Sequence, residues 1–426
     1  MPGTRSSHGT HASLLKDLFP VILPLVLFGS AIGVIKAYPE FASWSTSPTL
    51  RNLPYVTAAI SMLLGFFFAQ TRISFMSVLL ALMVYLLDQA AFVTSDVEGV
   101  RALVFLSSIY FPCVVALFYH LHERGILTPR GYIKIAIVCS FAVVMVLLPR
   151  VDSLRRAVAT AQTSLVRAGP GIVRVPLVGV AVFGLGAVAL CWRNRRESPL
   201  LGPVLIAALL FVFAGLNFES GLWPEGSARS VFLCFMAGAG LVLAWAVMES
   251  GWRHAHIDEL TQLPGRRSLQ HHLAKLGSSY ALAVLDLDHF KRVNDRHGHD
   301  IGDQVLKFAA AMMKKNRAGR AYRQGGEEFV IVCEGGDYEA AVEALEELRE
   351  SIRTREFVIR GRDRPRKKPE NSRAGRGGRG KLAVSVSIGV ARRNKKFATP
   401  GEVLEAADRA LYRAKKAGRN CVKATK

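Results

Sequence analysis

Along the first 248 positions the apolar residues gather into long unbroken runs rather than one-sided stripes. Eight runs can be drawn, near 18–35, 55–71, 73–93, 102–119, 131–148, 173–192, 199–218 and 230–248. Each approaches the roughly 20 residues that a helix needs to cross a bilayer. Only Thr71-Arg72 separates the second run from the third, which predicts either a tight turn there or one long re-entrant pair. The first run carries Pro20 and Pro24 and lacks a small-x-small cleavage pattern after it, so it reads as a retained span. The alternative is one large buried soluble core, since helices that are apolar all round occur in either setting.

Past Met248 the pattern changes. Residues 249–257 read as a short linker, and 258–426 alternate in an α/β fashion: helix 266–276, strand 281–285, helix 300–316, strands 320–324 and 328–333, helix 337–355, strand 382–391 and helix 402–417. Strand 281–285 (ALAVL) is continuously apolar and too short for a helix, the mark of a central strand buried on both faces. Interleaved βαβ units with a hairpin predict an α+β, ferredoxin-like antiparallel sheet with helices on one face. The segment 360–381 holds ten basic and two acidic residues with five Gly and two Pro, a composition that cannot bury a core and predicts a disordered insert.

Charge sharpens the picture. The chain of 426 residues has a formal net charge of +22 while half its residues are hydrophobic and its mean hydropathy is +0.25. A nucleic-acid binder would seldom combine these, so no specific nucleic acid is expected as a partner; a membrane protein with basic cytoplasmic parts combines them readily. Arg5, Lys16, Arg72, Arg124, Arg130 and Arg193 to Arg196 fall in alternate loops, whereas Asp96, Glu98, Glu219 and Glu225 fall in the others. With eight spans both termini are then cytoplasmic. Loop 149–172 disagrees, since Arg150, Arg155, Arg156 and Arg167 fall on the outer side; an interfacial helix, a sensing segment or a different span count would each account for it. The six cysteines contain no C-x-x-C pair, so neither a disulfide framework nor a zinc site is implied.

The chemistry concentrates in the soluble part. Strand 281–285 runs straight into Asp286-Leu287-Asp288-His289-Phe290-Lys291, and the 320–333 hairpin turns through Gly325-Gly326-Glu327-Glu328. A ferredoxin-like sheet brings that strand end beside that turn. Three carboxylates, Asp286, Glu327 and Glu328, would repel one another unless a cation met them, and hard oxygen donors suit Mg²⁺ completed by substrate phosphates. The backbone of His289, Phe290 and Lys291 offers N–H groups to phosphate, and Lys415 and Arg419 lie one helical turn apart near the end of the last helix. The same two side chains could instead only complement the helix C-terminus. Asn294, His299 and Asp303 follow at spacings suited to a purine edge, although His299 is equally at home on a surface.

These residues resemble the GGDEF-domain diguanylate cyclases, in a GGEEF form. The likeness spans roughly 258–421 and includes DELTQLPGRR, LDLDHFKRVNDRHGHDIGD, YRQGGEEF, VSVSIGVA and ADRALYRAKKAGRN in order. The resemblance implies a palm fold shared with polymerases and nucleotidyl cyclases, a bacterial inner-membrane location, and condensation of two GTP to cyclic di-GMP and pyrophosphate by a homodimer, with downstream cyclic di-GMP receptors as indirect partners. It further implies that Asp286, Glu327 and the Leu287 carbonyl hold Mg²⁺, or Mn²⁺, with Glu328 at a second metal position. Glu327 would accept the proton of the attacking 3′-hydroxyl, Asn294 and Asp303 would contact guanine beside His299, and Lys291, Lys415 and Arg419 would hold phosphates. At the position of the R-x-x-D product site that many members carry, this chain has Asn316-Arg317-Ala318-Gly319, so product inhibition through that site is not expected. A non-catalytic nucleotide receptor is the alternative reading, and a transporter regulated by the soluble part a third, which the scarcity of mid-span charges beyond Asp88 disfavours.

Overall fold

The structure is a computed structural model of the chain. It describes residues 8–38, 40, 44, 47–94, 97–121, 128–147, 150–153, 156, 175–192, 200–217, 226–335, 337–358 and 381–425. Most of loop 149–172, the arginines of 193–196 and all of the 360–381 insert except Lys381 therefore lie outside the described residues. The chain divides into two compact units, Met1–Gly251 and Trp252–Lys426.

In the first unit the described apolar helices are α1 (His8–Ala37), α2 (Pro48–Phe67), α3 (Thr71–Asp88, continued by a π turn over Gln89–Val93), α4 (Val97–His120), α5 (Pro129–Leu147), α6 (Leu177–Trp192), α7 (Leu201–Leu216) and α8 (Ala228–His256). Among the described residues, five segments are long and apolar enough to cross a membrane: Phe19–Ala37, Pro48–Phe67, Thr71–Val93, Val97–His120 and Ala228–His256. The other three apolar helices are shorter.

The turn expected at Thr71-Arg72 lies one step earlier. Phe68 to Gln70 make it, Ala69 takes a left-handed φ of 56°, and Thr71 already opens α3. Small residues let α2 and α3 approach: Ser77 donates to Ser61 at 2.8 Å, and a Cβ added at Gly65 would overlap Ser74. Charge is more deeply placed than the sequence reading allows. Asp88 and Arg229 form a bidentate pair at 2.8–2.9 Å, and Arg72, Lys134 and Glu249 are also buried, with Lys134 donating to Thr71 at 2.7 Å. Helix α8 continues to His256, so most of the 249–257 linker is helical.

The second unit contains α9 (Arg266–Leu273), β1 (Tyr280–Leu287), α10 (Phe290–His297), α11 (His299–Met313), β2 (Arg320–Gly325), β3 (Glu328–Glu334), α12 (Tyr338–Thr354), β4 (Phe357–Val358), β5 (Lys381–Leu382), β6 (Val386–Arg392), α13 (Pro400–Lys416) and β7 (Val422–Thr425). Its main sheet has the order β2-β3-β1-β6-β7. All neighbours are antiparallel except β6 and β7, which are parallel. Helices cover both faces rather than the one expected. Ala281, Ala283, Leu285 and Leu287 of β1 pack with α11 and α12, whereas Leu282 and Val284 pack with α9 and α13. The reason is in β1 itself, which is apolar at both parities and so demands cover on each side. The expected strand 382–391 divides in two: Lys381–Leu382 pairs with β4, and the main-sheet strand β6 begins at Val386.

Candidate active site

The site forms where β1 ends at the centre of the sheet. Asp286 pairs across the sheet with Glu328 on β3 and Ser387 on β6, and it is only 6% exposed. By strand alternation its side chain lies on the α13 face, where Lys415 Nζ reaches its Oδ2 at 2.9 Å. Burial pushes the Asp286 carboxyl above its ordinary value, opposed by the hydrogen bond and charge of Lys415 and by Arg419, and reinforced by Asp288. Glu327 is raised too, first by burial and then by the charge of Asp286, with Lys415 opposing and Glu328 adding. Asp286, Glu327, Lys415 and Arg419 are thus electrostatically one group.

The turn that presents Glu327 is tied down from elsewhere. Gly326 sits at φ 48°, a left-handed value that favours glycine, and its carbonyl accepts from Arg323 Nε and Nη2 at 3.2 and 2.7 Å. Arg323 Nη1 also donates to Asp258 Oδ1 at 2.8 Å, and the Arg323 amide donates to the Pro264 carbonyl. The DELTQLP turn therefore buttresses the GGEE turn.

Asp288, to which the sequence reading assigns no role, is the second organiser. It accepts from Ser387 Oγ at 2.6 Å, Ser385 Oγ at 2.7 Å and the Asn420 amide at 3.0 Å. Those contacts hold a run of left-handed residues, Gly418, Arg419 and Asn420, at φ 103°, 65° and 46°. Non-glycine residues reach such φ at a cost of about 1 kcal/mol or more each, so the anchoring is what keeps Arg419 near Asp286. The alternation D-x-D facing V-S-V-S was the available signal.

The remaining predicted residues sit on the segment after β1. His289 is exposed at φ 57° and precedes α10, Phe290 is buried, and Lys291 is exposed on the first turn. Asn294 turns its Oδ1 inward against Gly302 of α11, where an added Cβ would overlap it, and that atom has no hydrogen-bond partner among the described residues. His299 opens α11 and Asp303 follows one turn on, both exposed. No hydrogen bond or ion pair among the described residues joins this group to the Asp286 cluster.

The donor set is hard oxygen, from Asp286, Glu327, Glu328 and the Leu287 carbonyl, and it fits Mg²⁺ in chemistry. Among the described residues no three acidic, His or Cys side chains are gathered as a ready metal cage. Lys415 holds the carboxylate such a cation would need.

The chain carries a GGDEF domain: the profile of the family described as "Diguanylate cyclase, GGDEF domain" matches residues 255–369 and 370–421. Diguanylate cyclase DgcP of Pseudomonas aeruginosa is 37% identical over 183 residues, 41% of this chain and 24% of that protein. Diguanylate cyclase A of Treponema denticola is 31% identical over 166 residues, 37% of this chain and 40% of its own. A crystal structure of the GGDEF domain of DgcB from Caulobacter crescentus in complex with c-di-GMP shares 33% identity and covers 40% of this chain and 93% of that one, with a TM-score of 0.34. The chain thus spans well under half the length of these curated relatives.

Proposed function

We propose that this protein is a membrane-bound diguanylate cyclase that joins two GTP into cyclic di-GMP and pyrophosphate. The observation that carries the reading is the Asp286–Glu327–Lys415 cluster at the end of the central strand, set within the GGDEF match. Asp286, Glu327 and the Leu287 carbonyl would hold Mg²⁺, which when bound neutralises phosphate charge; Glu328 would support a second position. Lys291, Lys415 and Arg419 would orient the triphosphate, and Asn294, His299 and Asp303 the base. The inward Oδ1 of Asn294 supports this, because a buried acceptor without a donor is costly unless a ligand N–H meets it. Glu327 would accept the proton of the attacking 3′-hydroxyl. Each domain carries one such site, so two copies must face each other for one 3′-hydroxyl to reach the other α-phosphate. The apolar helices would anchor that dimer in the bacterial inner membrane with the catalytic unit cytoplasmic, and would gate it.

The test is full-length protein in nanodiscs with labelled GTP and Mg²⁺. Cyclic di-GMP should form at a specific rate that grows with protein density, stop with EDTA, and fall about 100-fold or more in Glu327→Ala. Tight GTP binding without product would instead indicate a nucleotide receptor.

A further inference from the structure

We propose that Lys415 is a displaceable counter-ion: it holds Asp286 in competition with the divalent cation and is drawn off by a triphosphate, so that cation and nucleotide enter as a coupled pair. This deepens the reading above and rests on Asp286 being a metal-binding carboxylate.

The geometry supports exchange rather than a fixed structural bond. Lys415 lies in the last turn of α13, and its side chain is 36% exposed while that of Asp286 is 8% exposed. The carboxylate is therefore fixed in the sheet and the ammonium has solvent on one side. Ion pairs that brace this chain use the forked guanidinium, as in Arg323–Asp258 and the bidentate Arg229–Asp88. A lysine is a compact point charge on a flexible four-carbon stem, suited to changing partners. Arg419, held near by the anchored 418–420 turn, also acts on Asp286 but makes no ion pair with it among the described residues.

Charge accounting gives the coupling. A buried carboxylate that loses its lysine is strongly unfavourable unless another cation replaces it. A lysine that leaves can bind a triphosphate more tightly than water, which stabilises its departure. Each arrival thus lowers the cost of the other, and by linkage the effect is reciprocal.

The experiment titrates Mn²⁺ alone into the full chain in nanodiscs, read by electron paramagnetic resonance, and repeats it with a non-hydrolysable GTP analogue. Wild type is expected to bind Mn²⁺ weakly alone and about tenfold tighter with the analogue. Lys415→Met should bind Mn²⁺ alone about tenfold tighter than wild type and gain little from the analogue. Lys415→Gln, which keeps a donor without the charge, should behave the same way and covers the case in which Met misfolds. Binding that depends on Asp286, by Asp286→Asn, yet is unchanged by both Lys415 variants would overturn the exchange alone. Binding insensitive to Asp286→Asn would remove the metal reading itself, and the exchange with it.

Discussion

Two half-buried carboxyls in the second unit respond to pH with opposite signs. At Asp258 burial pushes the carboxyl up, but hydrogen bonds from Thr261 and Arg323 and the charge of Arg323 outweigh it and hold the group below its ordinary value. Its stabilisation is present above the unfolded-chain value and is lost as pH falls through the lower folded one. Asp258→Asn is expected to cost about 1–2 kcal/mol at pH 7 and nothing in strong acid, measured as thermal unfolding across pH. At Glu327 the carboxyl is raised, so its ionised form destabilises the fold above the folded value, and that penalty vanishes below the unfolded one. Glu327→Gln should therefore unfold at the same or slightly higher temperature at pH 7, within about 0.5 kcal/mol, while losing activity. A matching loss of unfolding temperature in both variants would contradict these signs. Asp286 and the Gly-Gly turn were legible as residues because an acid ending a buried strand needs an explanation. Asp288 was not, because its partners Ser385, Ser387 and Asn420 come from sequence about 100 or more residues away.

Strand β6 shows what an element contributes. It packs directly on α13, so close that a Cβ at Gly389 would overlap the backbone of Leu411 and Ala407. Gly389→Ala is expected to cost about 1–3 kcal/mol by forcing the two apart. Thermal unfolding and faster amide exchange along α13 would report it, and unchanged exchange would show that the contact is slack. The helix itself was readable over 402–417, and the structure starts it at Pro400, with Thr399 as its cap and the Glu402 carboxylate accepting from the Thr399 amide. Strand β7 was not, since Val422–Thr425 is short and becomes a strand only by pairing with β6.

At the scale of the whole molecule, the first unit is organised around charge as well as apolar packing. Asp88 sits just before the π turn of α3, and Arg229 both pairs with it and lies over the Phe92 ring at 5.6 Å. Removing one partner leaves the other buried and uncompensated. Arg229→Ala is expected to cost about 3–5 kcal/mol of stability in detergent, and the double replacement Asp88→Asn with Arg229→Gln to recover much of it. Full stability in the single variant would show that water already reaches the pair. Apolar run length made the helices of this unit visible, whereas the burial of Arg72, Lys134 and Glu249 was not visible, because a charge near a run's end reads equally well as interfacial.

Run length, strand alternation and five ordered motifs were enough to determine a membrane-helix region followed by an α+β GGDEF domain, because those patterns are local and each carries its own physical period. Tertiary structure alone decided that helices cover both faces of the sheet, that Asp258 and Arg323 brace the GGEE turn, and that Lys415 pairs with Asp286. Those outcomes depend on which distant side chain arrives at a buried charge, and burial makes that choice costly in a way that no short stretch of sequence records.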